Sequence, residues 1–140
     1  MLSLTPALQK QLFSLLPRAY APYSKVHVAA LLKTQGGHYY GGVNVENAGI
    51  QSICAERTVF VKAISEGERD FSCLYLCGAK EGEGDEDLIP LRLLPCGYCR
   101  QFMAEFVPPS FPIVVLSQEG GEVQESVYSL GDLLPEAFGL

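Results

Sequence analysis

The stretches Cys54-Ala55-Glu56-Arg57 and Pro95-Cys96-Gly97-Tyr98-Cys99-Arg100 decide how this 140-residue chain is organised. Three thiolates can occupy three corners of a tetrahedral zinc site, and an open fourth corner is typical of a catalytic rather than a structural zinc. A carboxylate two residues from a ligand can handle the protons of a water at that corner. We therefore predict one Zn²⁺ per chain with the following ligands and catalytic residue: Cys54, Cys96, Cys99 and Glu56.

The predicted ligands fall at the starts of helices. Cys54 begins a helix predicted over residues 53–67, and Cys96 and Cys99 lie in the first turn of a helix predicted over residues 96–106. The positive end of a helix dipole lowers the pKa of a thiol and favours the thiolate that a metal needs. The sequence therefore predicts that two helix N-termini meet at the metal.

Two arginines stand next to the predicted site. Three thiolates on Zn²⁺ carry a net charge of −1, which weakens the metal as a Lewis acid, so a nearby cation would help. Arg57 and Arg100 are both candidates to pair with the sulfurs. The alternative for each is an ordinary surface arginine.

Two further cysteines leave a structural alternative open. Cys73-x₃-Cys77 followed by Cys96-x₂-Cys99 has the spacing of a zinc ribbon. The first pair lies in an apolar run, however, where cysteine behaves as a small core residue. A ribbon would also leave Cys54 and Glu56 without a role.

Periodicity along the rest of the chain predicts an α/β fold within one domain over residues 1–140. Thr5-Pro6 reads as the N-cap and first residue of a helix. The predicted order α-β-β-α-β-α-β-β-α implies a mixed sheet with helices on both faces. The remaining elements are strands over 26–33, 39–45, 71–79, 111–116 and 122–127, and a C-terminal helix over 130–138.

The composition indicates which kinds of partner and which cellular compartment to expect. The net charge is −6, and ten Lys plus Arg are scattered without a basic stripe, which argues against a polymeric nucleic acid as substrate. Five cysteines, an odd number, favour a reduced, cytoplasmic protein over a disulfide framework. The sequence predicts neither a signal peptide nor a membrane-spanning segment, so we expect no membrane partner. The acidic residues 81–87 are predicted to form a solvated loop rather than a cation site.

These motifs give the chain a specific family resemblance. It is similar to the homotetrameric, zinc-dependent cytidine deaminases that act on free nucleosides, and the cysteine motifs also match the general pattern of zinc base deaminases. The similarity covers nearly the whole chain, in the family's order. The stretches that carry it are Pro22-Tyr23-Ser24, Asn44-Val45-Glu46-Asn47-Ala48, Cys54-Ala55-Glu56-Arg57-Thr58, Pro95-Cys96-Gly97-Tyr98-Cys99-Arg100-Gln101 and Leu133-Leu134-Pro135-Glu136-Ala137-Phe138-Gly139.

The resemblance implies a fold, an activity and an assembly. The fold would be a three-layer α/β/α arrangement with a mixed five-stranded sheet. The activity would be hydrolytic deamination of cytidine and 2'-deoxycytidine to uridine and 2'-deoxyuridine, with release of ammonia, in pyrimidine salvage. The assembly would be a homotetramer with active sites at the subunit interfaces.

The resemblance also implies roles for matched positions. Asn44 and Glu46 would bind the ribose hydroxyls, backbone groups of Ala55 would contact the base, and Arg57 would bond the ligand sulfurs. Phe138 would stack on the base in a neighbouring subunit's site. Without the resemblance, we would interpret Asn44 and Glu46 as polar residues at the end of a strand. We would interpret Phe138 as a residue that anchors the last helix.

Two departures from the family pattern concern the substrate pocket. Val26 stands where the family usually has an aromatic residue, and the segment between Asn47 and Cys54 is one residue short and lacks a tyrosine. A wider pocket near the base would suit modified cytosine nucleosides, which are N4- or C5-substituted or aminoacyl-nucleoside antibiotics such as blasticidin S. A nucleotide or polynucleotide deaminase is the other alternative, and the acidic charge weighs against it.

Overall fold

The computed structural model describes residues 2–84 and 87–140. In this part of the chain, four α-helices and six β-strands alternate in an α/β order. No helix within it is long and apolar enough to cross a membrane. In chain order the elements are α1 (Pro6–Leu15), β1 (Val26–Thr34), β2 (Tyr39–Val43), α2 (Ala55–Ser65), β3 (Phe71–Lys80), β4 (Ile89–Leu91), α3 (Gly97–Ala104), β5 (Pro112–Glu119), β6 (Glu122–Ser129) and α4 (Leu130–Leu133).

The strands form one mixed sheet in the order β2-β1-β3-β5-β6, with β4 paired to the end of β3. Strands β3 and β5 run parallel, and every other pair is antiparallel. The mixed sheet is confirmed, but the predicted count of five strands is wrong. The strand that was not predicted is β4. It has three residues, one of them Pro90, and is too short to show an alternating pattern.

Helices cover both faces of the sheet, as predicted. One face packs against α2, α3 and the start of α4 through buried residues such as Phe60, Met103 and Leu130. The other face packs against α1, with Leu12 at its centre. Successive side chains of a strand point to opposite faces, so β1 and β3 contribute to both cores. The three-layer α/β/α architecture is therefore confirmed.

Helix α2 lies unusually close to β2, and this closeness sets the position of its first turn. A Cβ added at Gly42 would come within 2.8 Å of Thr58 Cγ2, so only glycine allows the contact. The Thr58 hydroxyl donates a hydrogen bond to the carbonyl of Val43 at 3.1 Å. Because α2 begins at the sheet edge where β2 ends, the residues at both ends face the same space.

Most element boundaries differ from the predictions by one to three residues, and the end of the C-terminal helix differs by five. Strand β2 ends at Val43 rather than at residue 45, and the C-terminal helix stops at Leu133 rather than at residue 138. Proline 135 follows that helix closely, and Glu136 has φ 55°, a left-handed conformation that a helix cannot continue through. The start of α1 is as predicted, since the Thr5 side chain accepts a hydrogen bond from Leu8 N.

The predicted acidic loop over residues 81–87 is only partly described, because Asp85 and Glu86 lie outside the described residues. Its first acid, Glu81, has a carboxylate oxygen 2.9 Å from Nε2 of the buried His27 on β1. In the described part of the chain, the loop contributes to no cluster of three or more metal-ligating side chains.

Candidate active site

The three predicted ligands lie together at the N-termini of α2 and α3. Cys54 is the N-cap of α2, Cys96 is the N-cap of α3, and Cys99 is the third residue of α3. Neither N-cap cysteine uses its side chain to cap its own helix. The sulfurs are therefore available to a ligand, and two positive helix ends point toward them.

The sulfur geometry fits one tetrahedral zinc ion. The Sγ atoms of Cys96 and Cys99 are 3.5 Å apart, those of Cys54 and Cys96 are 3.8 Å apart, and all three lie within 4.8 Å of one another. With Zn–S bonds of about 2.3 Å, tetrahedral geometry places sulfurs about 3.8 Å apart. Three ligands leave one corner of the tetrahedron free, so the residues present fit a catalytic zinc.

Charge in the metal-free cluster is shared between the thiols. A hydrogen bond from Cys99 lowers the pKa of Cys54 to about 5, and bonds from Arg57 and Cys96 add to the shift. The same interaction with Cys54 raises the pKa of Cys99, which donates to it. The neighbours of Cys54 thus favour its thiolate, the form in which cysteine binds a metal.

Arg57 contacts the cluster and Arg100 does not. Nη2 of Arg57 donates to the carbonyl of Ser52 at 2.8 Å and lies 3.6 Å from Cys54 Sγ. Arg100 instead donates to the carbonyls of Pro95 and Leu133, both at 2.7 Å. Of the two arginine candidates, only Arg57 is placed to act on a sulfur, and Arg100 ties α3 to the end of α4.

Glu56 is a buried carboxylate with an unused oxygen. The residue is 3% exposed, and its Oε1 atom has no hydrogen-bond partner in the described structure. Burial raises its pKa to about 7, and the charge of Cys54 pushes in the same direction. A buried polar atom without a partner requires an explanation, and a bound ligand that supplies the missing proton is one. A carboxyl group poised near neutrality can both accept and donate a proton.

A cavity of about 220 Å³ is lined both by two of the predicted zinc ligands, Cys54 and Cys96, and by the predicted ribose-binding residues. Asn44 and Glu46 follow the end of β2 rather than lying within it, yet both still face this cavity. Its walls are otherwise mostly aliphatic, and Val26 belongs to them. The residues that line the cavity are Ser24, Val26, Val28, Asn44, Glu46, Ser52, Ile53, Cys54, Glu56, Leu76, Leu93, Leu94 and Cys96.

The two polar residues are held firmly by the backbone around them. Asn44 accepts from Val28 N and donates to the carbonyl of Val26, both at 2.8 Å. The Glu46 carboxylate accepts from the backbone N–H groups of Tyr23 and Ser24 and from the Ser24 hydroxyl. The serine hydroxyl and these N–H groups lower the pKa of Glu46, so it faces the cavity as a carboxylate.

Two of the predicted substrate contacts lie outside this cavity's lining. Ala55 is buried as the first residue of α2, directly beside the cluster. Phe138 is 71% exposed, and its backbone is held by Gln101, which donates to its carbonyl at 2.9 Å and accepts from its N–H at 3.2 Å. The phenylalanine is therefore mostly exposed, although it lines a small pocket beside Leu130 and Gly131 of α4.

The structure also adds residues that the sequence did not single out. Leu93 and Leu94 line the cavity, and a Cβ at Gly78 would come within 2.4 Å of Leu93 Cδ1. A glycine inside the apolar strand β3 is a signal of close approach that could have pointed to this contact. Ser24 was included in the Pro22-Tyr23-Ser24 match, but only the structure shows that it holds Glu46.

The zinc-ribbon alternative fails on geometry. Cys73 and Cys77 are buried in the core against α1, on the opposite face of the sheet from the cluster. Burial raises the pKa of their thiols to about 11 and about 12. The metal-binding group found in the described residues contains neither of them.

A three-thiol metal site beside a buried carboxylate defines a zinc-dependent hydrolase, and comparisons with known proteins identify its family. The family model of the cytidine and deoxycytidylate deaminase zinc-binding region matches residues 6–115. The chain is 41% identical to the cytidine deaminase of Sporosarcina psychrophila over 86% of this chain and 81% of that protein. It also resembles the crystal structure of cytidine deaminase from Burkholderia pseudomallei, with TM-score 0.78 and 37% identity over 96% of this chain and 100% of that one.

A more distant relative is the blasticidin-S deaminase of Bacillus cereus, which is 28% identical over 76% of this chain and 75% of that protein. With a matching family model over most of its length, the chain belongs to the cytidine and deoxycytidylate deaminase family. The family's zinc-binding region and the cluster of three thiols together give the chain a site for one zinc ion.

Proposed function

We propose that this protein hydrolytically deaminates cytidine and 2'-deoxycytidine to uridine and 2'-deoxyuridine, releasing ammonia, as a step of pyrimidine salvage. The observation that carries the proposal is one cavity lined by two of the ligand cysteines, Cys54 and Cys96, by Glu56 and by the Asn44–Glu46 pair. The cysteine sulfurs and Glu56 are suited to act on the C4 amino group of a cytosine nucleoside, and Asn44 and Glu46 are suited to bind its sugar. The catalytic unit is one domain over residues 1–140.

Glu56 moves the protons of the reaction. When bound by Cys54, Cys96 and Cys99, the zinc ion supplies Lewis acidity that lowers the pKa of a water toward neutrality. Glu56 takes a proton as the water oxygen bonds to C4 of the pyrimidine, and delivers it to N3. It then takes the second proton from the hydroxyl now on C4 and passes it to the amino group, so that the C4–N bond breaks, the C4 carbonyl forms and ammonia leaves. The cavity walls hold the base so that C4 faces the cluster.

The remaining residues bind and orient the nucleoside. The second N–H of the Asn44 amide donates to a ribose hydroxyl and the Glu46 carboxylate accepts from one, while their bonds to the backbone keep both side chains rigid. Backbone groups of Ala55 contact the base, and Val26 forms part of the wall beside it. Arg57 balances part of the sulfur charge through its contact with Cys54.

The site is completed by a neighbouring subunit of a homotetramer in this proposal. A cavity of about 220 Å³ is smaller than the usual range of about 300–1,000 Å³ for small-molecule sites. Ile53 lines the cavity and is 47% exposed, and Ile50, three residues earlier, is 89% exposed, as expected of residues in an interface. The exposed ring of Phe138 would then stack on the base in the next subunit's site.

Charge and thiol chemistry support a free nucleoside and a reducing compartment. A net charge of −6 and a cavity lined by no Lys or Arg offer nothing to a phosphate backbone. The metal site needs reduced cysteines, and all five cysteines of the chain are free. We therefore place the enzyme in the cytoplasm.

A second candidate function is deamination of cytosine nucleosides that carry a group on N4 or C5, or of an aminoacyl-nucleoside antibiotic. The observation in its favour is the aliphatic wall formed by Val26 and Val28, which occupies less space than aromatic rings would. The distant similarity to a blasticidin-S deaminase points the same way. The Asn44–Glu46 pair favours an unmodified ribose in either case.

The test is a panel of cytidine, 2'-deoxycytidine, N4-methylcytidine, 5-methylcytidine, blasticidin S, cytidine monophosphate and cytosine. Ammonia release and the ultraviolet change on deamination give kcat/KM for each compound. We expect cytidine and 2'-deoxycytidine to be the best substrates, and cytosine and the monophosphate the poorest. Absence of turnover of both nucleosides by the zinc-loaded protein would refute the proposal, and a higher kcat/KM for a modified compound would establish the second candidate.

A further inference from the structure

Tyr98 lies in the sequence between two of the metal-ligating cysteines, Cys96 and Cys99. It is the second residue of α3, and 68% of it is exposed. The face of its ring covers the Arg57 guanidinium, with Cζ of the arginine 4.4 Å from the ring centroid. A guanidinium within about 6 Å of a ring centroid is attracted by the negative face of the ring.

The other contacts of Arg57 leave its guanidinium incompletely fixed. Its hydrogen bonds to the Ser52 carbonyl and Cys54 Sγ both use one atom, Nη2, and Cys99 lies close enough to interact with the same guanidinium. Its Nε atom is buried and has no hydrogen-bond partner in the described structure. Hydrogen bonds along one edge do not determine the plane of the group, whereas a stacked ring does.

We propose that Tyr98 is a positioning residue whose ring holds the Arg57 guanidinium against the metal-ligand sulfurs. The proposal rests on the zinc centre of the proposed function and not on the identity of its substrate. Without the ring, the guanidinium can turn toward solvent, and the −1 charge of a three-thiolate zinc centre loses its fixed counter-charge. An arginine placed to act on sulfur thus depends on an exposed residue of the neighbouring helix.

The experiment compares Tyr98→Phe, which keeps the ring, with Tyr98→Leu, which keeps apolar volume without a π face. The first readout is nuclear magnetic resonance of the Arg57 side chain, which reports rotation about the Nε–Cζ bond and needs no turnover. We expect hindered rotation in the wild type and in Tyr98→Phe, and free rotation in Tyr98→Leu. Because the residue is largely exposed, both variants should fold, and Tyr98→Thr replaces the leucine variant if that one aggregates.

The second readout is steady-state kinetics of the zinc-loaded protein. Tyr98→Leu should lower kcat about 3- to 30-fold with KM unchanged, in proportion to the strength of a cation–π contact, and Tyr98→Phe should stay within twofold of the wild type. In an Arg57→Gln background, Tyr98→Leu should have no further effect, since the ring then has nothing to hold.

Two outcomes would overturn the proposal. One is unchanged Arg57 rotation in Tyr98→Leu, and the other is that Tyr98→Leu lowers kcat as much in the Arg57→Gln background as in the wild type. Either would make Tyr98 a surface or interface residue. If no variant turns over cytidine but Arg57 rotation responds to Tyr98 as expected, the proposed function fails and the positioning role stands.

Discussion

Glu56 is the residue on which the proposed chemistry depends most directly. Burial alone would be a reason to replace it with an apolar residue, because a carboxylate without a partner is costly in a protein interior. Glu56 instead lines the cavity together with Cys54 and Cys96, and its Oε1 atom has no hydrogen-bond partner in the described structure. A costly group retained at a cavity wall is best explained by what it does to a ligand.

Replacement of Glu56 by glutamine should abolish turnover without loss of the metal. The amide has nearly the same shape but cannot take up or release a proton, so kcat should fall by at least ~10²–10⁴-fold. Elemental analysis should still find about one zinc per chain, since the three sulfurs are untouched. A variant that holds zinc and keeps most of its kcat would remove Glu56 from the mechanism.

The pH dependence of stability should carry the signature of the same carboxyl in metal-free protein. Its pKa rises from 4.5 in the unfolded chain to about 7 in the fold. A raised pKa means that the contribution to stability is complete below pH 4.5 and is lost as the pH rises through 7. Relative to the permanently neutral Glu56→Gln variant, the wild type should lose about 2–3 kcal/mol of unfolding free energy between pH 5 and pH 8.

Urea unfolding of both metal-free proteins at the two pH values measures this difference directly. The comparison cancels titrating groups that do not interact with Glu56. Cys54 does interact with it, and its lowered pKa acts in the opposite direction. Parallel pH dependence of the two proteins would show that the fold does not hold Glu56 neutral.

At the scale of elements, the close contact between β3 and the segment before α3 shapes the cavity. Gly78 of β3 leaves no space for a Cβ beside Leu93, whose side chain lines the cavity. Gly78→Ala should therefore push Leu93 toward the substrate, raise KM and destabilise the fold by about 1–3 kcal/mol. Steady-state kinetics and urea unfolding measure the two effects.

Two variants control this prediction. Gly36→Ala changes a glycine whose added Cβ meets only Thr34 Oγ1, at an ordinary 3.8 Å, and should leave KM unchanged. Leu93→Val combined with Gly78→Ala should recover part of the lost affinity by vacating space. An unaltered KM in Gly78→Ala, with zinc content intact, would show that Leu93 moves away from the cavity instead.

Elements with strong local signals were predictable from sequence, and those defined by long-range contacts were not. The apolar runs of β3 and β5 marked buried strands, and Thr5-Pro6 marked the start of α1. Strand β4 exists only because it pairs with the end of β3, and no pattern within three residues can reveal that. The last helix was predicted too long because its apolar residues continue past Leu133, while the backbone turns at Glu136.

In the candidate site, too, residues with a local sequence signal were predictable, and contacts between distant segments were not. Cysteine spacing and one acid were enough to predict the metal ligands and Glu56, since their chemistry leaves few alternatives. The contact of Arg57 rather than Arg100 with a sulfur, and the hydroxyl of Ser24 on Glu46, depend on how separate segments meet. Packing decides such contacts, and sequence spacing does not encode it.

For the molecule as a whole, the central prediction is that each site needs two chains. Phe138→Ala should lower kcat/KM about 10- to 100-fold, because stacking on a base contributes about 1–3 kcal/mol. Glu56→Gln is inactive for a separate reason. If the ring serves a neighbour's site, unfolding and refolding the two variants together should create sites that combine an intact Glu56 with a Phe138 from the other chain.

The mixture should then be more active per intact Glu56 than Phe138→Ala refolded alone. Light scattering should give the mass of four chains in every sample. Activity equal to the average of the separately refolded variants would place Phe138 in its own chain's site or outside any site.

Both helices at the metal begin with a cysteine that leaves its own helix uncapped. A conventional N-cap contributes about 1 kcal/mol, and neither cysteine side chain supplies it, so a metal bound to the two cysteines has to hold these helix starts in its place. Ligands that bind only the folded chain shift the folding equilibrium by mass action. Cellular zinc supply should therefore govern how long the polypeptide survives proteolysis, so that a zinc-starved cell would lose the protein itself as well as its turnover.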